Sequence, residues 1–348
     1  MVELWFGIVA VMLTLYVVLD GFDLGAAALH LFVARTDAER RQVLAAIGPF
    51  WDGNEVWLLA AGGALFVAFP GVLAAGLSGF YFAIFLVLWC LLLRGISIEF
   101  RSHVSDPLWR AFWDTTLALA STLLIVFFGA ALGNLIRGLP LDGHGWFGLA
   151  LFTSFSTRPP VGILDWYTVL TGVFALAILL FHGALFLVWR TDGEVQARSR
   201  RLAGLWGFTA LAMWPFVTLL TMGVHPGLRV GFGSHPLAWL AFVLAWLGLL
   251  AVWIGARRGR PGLALLGSSS FIAGLLGATA ASMFPIMLRA VPDPRLSITA
   301  YAAANDPAGL RAALGWWSFG FPLAIAYFIV VVRIHRGKTA AAADGEGY

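Results

Sequence analysis

Apolar residues run in long blocks along this chain, with short polar stretches between them. Nine blocks are long enough, at about 20 residues each, to cross the hydrocarbon of a bilayer as helices. They fall at about 4–30, 54–76, 78–99, 112–136, 162–189, 203–223, 236–256, 262–288 and 315–334. The connections are short, the two longest lying at about 137–161 and 289–314. No small-residue cleavage site follows the first block, which therefore reads as a retained helix rather than a leader. The pattern predicts an all-α integral membrane protein, a bundle of about nine transmembrane helices forming a single domain over 1–336. The segment 337–348, ending TAAAADGEGY, has no apolar period and is expected to be a disordered tail.

Composition agrees: 60% of the 348 residues are hydrophobic and 11% charged, where a soluble chain carries about 25% charged. Sixteen Trp and 28 Phe against six Tyr suit lipid-facing surfaces and interfacial belts. The lone cysteine, Cys90, leaves neither a disulfide framework nor a cysteine metal site. The net charge of +4 comes from arginines scattered between blocks, with no basic stripe, so no nucleic-acid partner is expected. Those arginines do set an orientation. One set of alternate loops holds Arg35, Arg40, Arg41, Arg94, Arg101, Arg110, Arg190, Arg198, Arg200, Arg201, Arg257, Arg258, Arg260, Arg333, Arg336 and Lys338, which is 16 of the 22 basic residues. The positive-inside rule then places the N-terminus outside and the C-terminal tail in the cytoplasm. Arg94, within its block, is expected to snorkel to the cytoplasmic side.

Candidate chemistry gathers on that side. The first block ends in DGFDLG and the second opens in WDGNEVW, so Asp20 and Asp23, and again Asp52 and Glu55, are three apart and share a helix face. Carboxylates inside a bilayer cost about 2.5–3.5 kcal/mol each on insertion scales and usually serve a purpose there. Asp23, deeper than the loop arginines, reads as a member of a proton path. Two structural readings stand beside this one: Asp52 with Glu55 as a capping box, and Asp20 and Asp23 neutralised by Arg35, Arg40 or Arg41. Glu99, flanked by Arg94 and Arg101, reads as a salt-bridged anchor. Of the seven histidines only His30 and His182 lie inside blocks, near enough to the same end to meet in principle. His182 reads as a hydrogen-bonded core residue or a relay member, and no block carries the paired histidines that two stacked haems would want. No P-loop, dinucleotide glycine fingerprint or H-E-x-x-H is present, so neither catalytic residues nor a metal site are expected in this chain. The residues by themselves fit two classes: a stand-alone proton-coupled transporter, or an accessory subunit of an energy-converting complex. A transporter would show internal repeats and broken helices; no clear repeat is found, although Pro215 and Pro322 could break two helices.

The motifs DGFDLG, DAERRQVLAAIGPFWDGNEVWLLAAGGALFVAFP, RGISIEFR, GNLIRGLP and SMFP, in that order, resemble subunit II of the cytochrome bd family of quinol oxidases, including its cyanide-insensitive branch. The likeness runs from about 15 to 140 and returns at Met283–Pro285; the block from Asp37 to Pro70 is its most specific part. Between about 141 and 260 it rests on helix count. The resemblance implies a heterodimer with a haem-bearing subunit I that carries haems b and d and oxidises quinol at the outer face. It also implies reduction of O2 to water with protons drawn from the cytoplasm, in the bacterial inner membrane. This chain would then be haem-free, supporting assembly and proton uptake. Asp23 and Asp52 match family acids and are carried over as proton-path residues, with Asp52 at the inner entrance. Glu55 departs from relatives that carry an amide there. Trp57 matches a family tryptophan near a lateral O2 route, with bulk packing as its plain alternative. Relatives can hold a quinone in the corresponding subunit, and no motif here places one. A small single-helix third subunit and membrane lipid complete the expected partners.

Overall fold

The computed structural model describes residues 1–339 and is predominantly helical. Its helices are α1 (Val2–Ala28), α2 (His30–Val33), α3 (Asp37–Ile47), α4 (Trp51–Ala68), α5 (Pro70–Gly79), α6 (Tyr81–Phe100) and α7 (Pro107–Arg137). After a long loop come α8 (Trp166–Arg190), α9 (Gly193–Val224), α10 (Gly227–Ser234), α11 (Pro236–Arg257), α12 (Pro261–Met283), α13 (Ala300–Ala303) and α14 (Pro307–Ile334). Eight of them, α1, α6, α7, α8, α9, α11, α12 and α14, are long and apolar enough to cross a membrane. The block expected at 54–76 is divided into α4 and α5 at Phe69 and Pro70. Proline has no N–H to continue a helix and fits the first position of a new one. Pro215 and Pro322, by contrast, break nothing: α9 and α14 run through them.

The core forms around α8, two thirds of whose apolar window is buried, whereas α14 has none of its window buried. α1 crosses α8 at Gly25 and Gly183. A Cβ on Gly25 would strike the Leu179 carbonyl, and one on Gly183 would strike the α1 backbone. Small residues are what allow such an approach between membrane helices, where packing rather than water exclusion drives association.

One apolar cluster lies at the N-terminal end of α1, where Trp5, Ile8, Phe69, Val72, Leu139, Phe147 and Ala300 pack together. The short antiparallel pair β1 (Ile286–Leu288) and β2 (Ile298–Thr299) belongs to the same end, as does Leu139, whose N–H donates to the Arg289 carbonyl at 2.8 Å. The second cluster joins the far half of α1 to α3, α6, α7 and α8. There α3 opens with a capping box between Thr36 and Glu39 and buries Val43, Leu44, Ala46 and Ile47. Lys338 donates to the carbonyls of Val188 (2.9 Å) and Thr191 (2.7 Å), and Thr339 N–H to that of Arg190 (2.8 Å). The start of the segment expected to be disordered is thus tied to the end of α8. The rest of that tail lies outside the described residues.

Candidate functional site: an acidic cluster between three helices

α1, α4 and α6 bring three carboxyl groups around one guanidinium. Arg94 on α6 is 1% exposed and clasps Asp20 with both terminal nitrogens, at 2.9 and 2.7 Å. The same guanidinium lies 2.9 Å from Glu55 Oε1 on α4, without hydrogen-bond alignment. Asp23, one turn along α1 from Asp20, accepts from Asn54 Nδ2 at 2.7 Å, and that nitrogen also donates to the Leu19 carbonyl at 3.1 Å. Asp20, Asp23 and Asn54 are all buried. Several polar atoms here have no hydrogen-bond partner among the described residues: Asp23 Oδ1, Asn54 Oδ1, Glu55 Oε1, Arg94 Nε and the Tyr16 hydroxyl.

Asp52 stands outside this knot. It is exposed and lines a groove of about 590 Å³ between α4 and α14, together with Trp57, Trp316, Trp317, Phe321 and Tyr327. Trp57 is buried and meets Phe321 edge to face, with ring centroids 5.9 Å apart. Asp52 is not a cap: the residue before α4 is Phe50, no side chain caps the helix start, and Asp52 sits inside the first turn.

Other expected pairings are replaced. Arg40 and Arg41 do not reach Asp20 and Asp23; they turn to Asp114 and Asp37. Arg94 does not snorkel, because a buried carboxylate satisfies it where it lies. Arg94 and Arg101, expected to hold Glu99, hold Asp20 and Asp114 instead, and Glu99 is exposed at the end of α6. His30 and His182 do not meet. His30 Nε2 lies 2.6 Å from Asp114 Oδ1, while His182 uses both ring nitrogens, one on Ser268 Oγ (2.7 Å) and one on the Val18 carbonyl (2.9 Å). With both nitrogens engaged, His182 does not fit as an axial haem ligand. Among the described residues no three His, Cys, Asp or Glu are grouped to hold a metal ion.

Sequence reasoning passed over Asn54 and Asp114 and assigned Arg94 the wrong partner. Arg94 is the counter-charge, and an arginine inside an apolar run was the available signal. Asn54 lay unremarked within WDGNEVW. Asp114, near the start of α7, gathers His30, Arg40 and Arg101 (Nε at 2.6 Å), and Asp37 beside it takes Arg101 and Arg110 at 2.8 and 3.0 Å. Burial works against the Asp37 carboxylate, but those arginines hold it below the usual range. Hydrogen bonds from Arg198 bring the Glu39 carboxyl down to about 2. This network, buried at Asp114 and Arg101 and partly exposed at Glu39 and Asp37, fastens α3 to α6, α7 and α9.

Residues 1–335 match the sequence model of the cytochrome bd terminal oxidase subunit II family. The chain is 31% identical to a probable cytochrome oxidase subunit 2 of Haemophilus influenzae over 94% of this chain and 92% of that protein. It is likewise 31% identical to the cytochrome bd-I ubiquinol oxidase subunit 2 of Escherichia coli K12, over 87% and 86%. With the Bacillus subtilis cytochrome bd ubiquinol oxidase subunit 2 it shares 34% identity over 69% of each chain. In fold it matches a chain of the bd oxidase structure from Geobacillus thermodenitrificans, with a TM-score of 0.70 at 16% identity, covering 96% of this chain and 98% of that one. Eight apolar crossing helices, the family match along nearly the whole length and the bacterial relatives agree on a multi-pass inner-membrane protein, a subunit of an oxidoreductase complex. The chain belongs to the cytochrome bd terminal oxidase subunit II family.

Proposed function

We propose that this chain is the haem-free second subunit of a quinol oxidase that reduces dioxygen to water, a single transmembrane domain over 1–336 that performs two tasks. It clasps a haem-bearing subunit I in a heterodimer, and it admits protons from the cytoplasm. The observation that carries the second task is the step from exposed Asp52 through half-buried Glu55, on the same helix, to buried Asp20 and Asp23 on α1. Two carboxyl groups share one guanidinium there and Asp23 stands beside them with no cation at ion-pair distance among the described residues, an excess of acid that protons can balance inside a membrane. A cytoplasmic position for this end of the bundle, on the side from which the protons for water formation are drawn, is supported by the arginine-rich loops. Asp52 is the entrance, Glu55 an added relay, and His182 and Glu99 are structural.

The first task is supported by α14, whose apolar window has no buried residue, and by the aromatic groove it forms with α4. An apolar face of that size on a membrane helix suits a partner helix or lipid. Trp57, at the floor of that groove, would border a lateral route for O2. The haems b and d belong to subunit I; a bound quinone and a small single-helix subunit would be additions to the same assembly.

The test is to purify the protein in mild detergent, record a reduced-minus-oxidised absorption spectrum and identify what accompanies it. A haem d band carried by a second large membrane subunit is expected. A colourless single chain, from cells that do express a bd oxidase, would overturn the reading and favour the stand-alone proton-coupled transporter.

A further inference from the structure

Asp23 and Asn54 form a pair with one hydrogen bond made and one missing. Both residues are 1% exposed. Asn54 Nδ2 donates to Asp23 Oδ2 at 2.7 Å and to the Leu19 carbonyl at 3.1 Å. A backbone carbonyl can only accept, so Leu19 fixes which end of the amide is nitrogen. That leaves Asn54 Oδ1 and Asp23 Oδ1, two buried acceptors of the same pair, without a donor among the described residues. Buried acceptors are seldom left so.

The charged and titratable groups around Asp23 offer no remedy. They are Asp20 on its own helix, Glu55 on α4 and Arg94 on α6. Arg94 gives both terminal nitrogens to Asp20 and lies beside Glu55, so among the described residues Asp23 has no cation of its own within ion-pair distance. A proton on Asp23 supplies what is missing. It turns Oδ1 into a donor, and O–H to Asn54 Oδ1 together with N–H to Asp23 Oδ2 makes a ring of two hydrogen bonds between acid and amide.

We propose that Asp23 is held as the neutral carboxylic acid, clasped by Asn54, and is a stored proton at the inner end of the acidic cluster. Asn54 is the positioning residue. The pairing deepens the proton-intake reading above but is measured apart from it.

The experiment is infrared spectroscopy of the intact complex at neutral pH in H2O and D2O. Expected is a deuterium-sensitive C=O stretch of a protonated carboxyl that disappears in Asp23→Asn and moves to higher frequency in Asn54→Leu, at equal haem content. If Asp23→Asn instead removes an ionised carboxylate band, Asp23 is charged, water fills the two acceptor positions, and the proposal falls. Should Asp23→Asn fail to assemble, Asn54→Leu decides alone, and an unshifted carbonyl region overturns the clasp. Unchanged turnover in Asp52→Asn with the Asp23 band present would remove the intake role and leave the stored proton standing.

Discussion

Arg137 at the end of α7 and Arg94 inside α6 are both buried and both hold an aspartate, yet their surroundings are completed to different degrees. Arg137 binds Asp165, Asn134 Oδ1 (2.7 Å) and the Gly162 carbonyl (3.0 Å). Asp165 in turn caps α8 by accepting from the N–H groups of Tyr167 and Thr168 at 2.8 and 2.9 Å. One arginine meets one acid, and no buried polar atom of Asn134, Arg137 or Asp165 is left without a partner. Around Arg94 one guanidinium meets two acids with a third, Asp23, beside them, and five polar atoms stay unpartnered among the described residues. A saturated network fixes geometry; an unsaturated one keeps room for a proton or a water. The first centre ties a loop to a helix start, and the second leaves polar atoms open to a further partner.

The strongest break in this comparison is Arg137→Met against Arg94→Met. Removing one partner of a buried ion pair costs about 3–5 kcal/mol, so both variants should lose most of their resistance to thermal inactivation. Whatever Arg137→Met complex survives should turn over normally per haem, whereas the Arg94→Met complex should not. Next, Asn134→Ala leaves Arg137 short of an acceptor, at about 1–3 kcal/mol; its melting temperature should fall while oxygen consumption per haem holds. Slower oxygen consumption per haem there would erase the distinction between the centres.

Asp52→Asn probes the other side: oxygen consumption at saturating quinol should drop about tenfold, a barrier change of about 1.4 kcal/mol, with haem content intact. Loss of haem would instead make Asp52 an assembly residue. The smallest effect belongs to the network that fastens α3. Glu39→Gln removes a partly exposed pair with Arg198, worth about 0.2–1 kcal/mol. The Glu39 carboxyl titrates at about 2 in the folded chain, against about 4.3 unfolded. A depressed folded value stabilises above the unfolded one and loses that contribution as pH falls. The stability gap between wild type and Glu39→Gln should therefore hold above about pH 4.3 and close towards pH 2, read from thermal midpoints at each pH.

Much of this molecule follows from chain-local facts. A block of about 20 apolar residues can satisfy its backbone in hydrocarbon only as a helix, so the all-helical class was legible, whereas the split of the block expected at 54–76 by Pro70 was not foreseen. The spacing of Asp20 with Asp23 and of Asp52 with Glu55 announced an acidic site, and the motif order announced the family. The partners were not legible. Whether Asp20 meets Arg41 or Arg94 depends on which helices touch, and that is settled by the Gly25 and Gly183 crossing and the packing of α6 on α7. Asn54 became significant only when α4 laid its amide against Asp23, and Asp52 lost its capping role only when α4 began one residue before it. Periodicity is a property of one helix, whereas ion pairs and missing donors belong to the space between helices, which the tertiary structure alone decides.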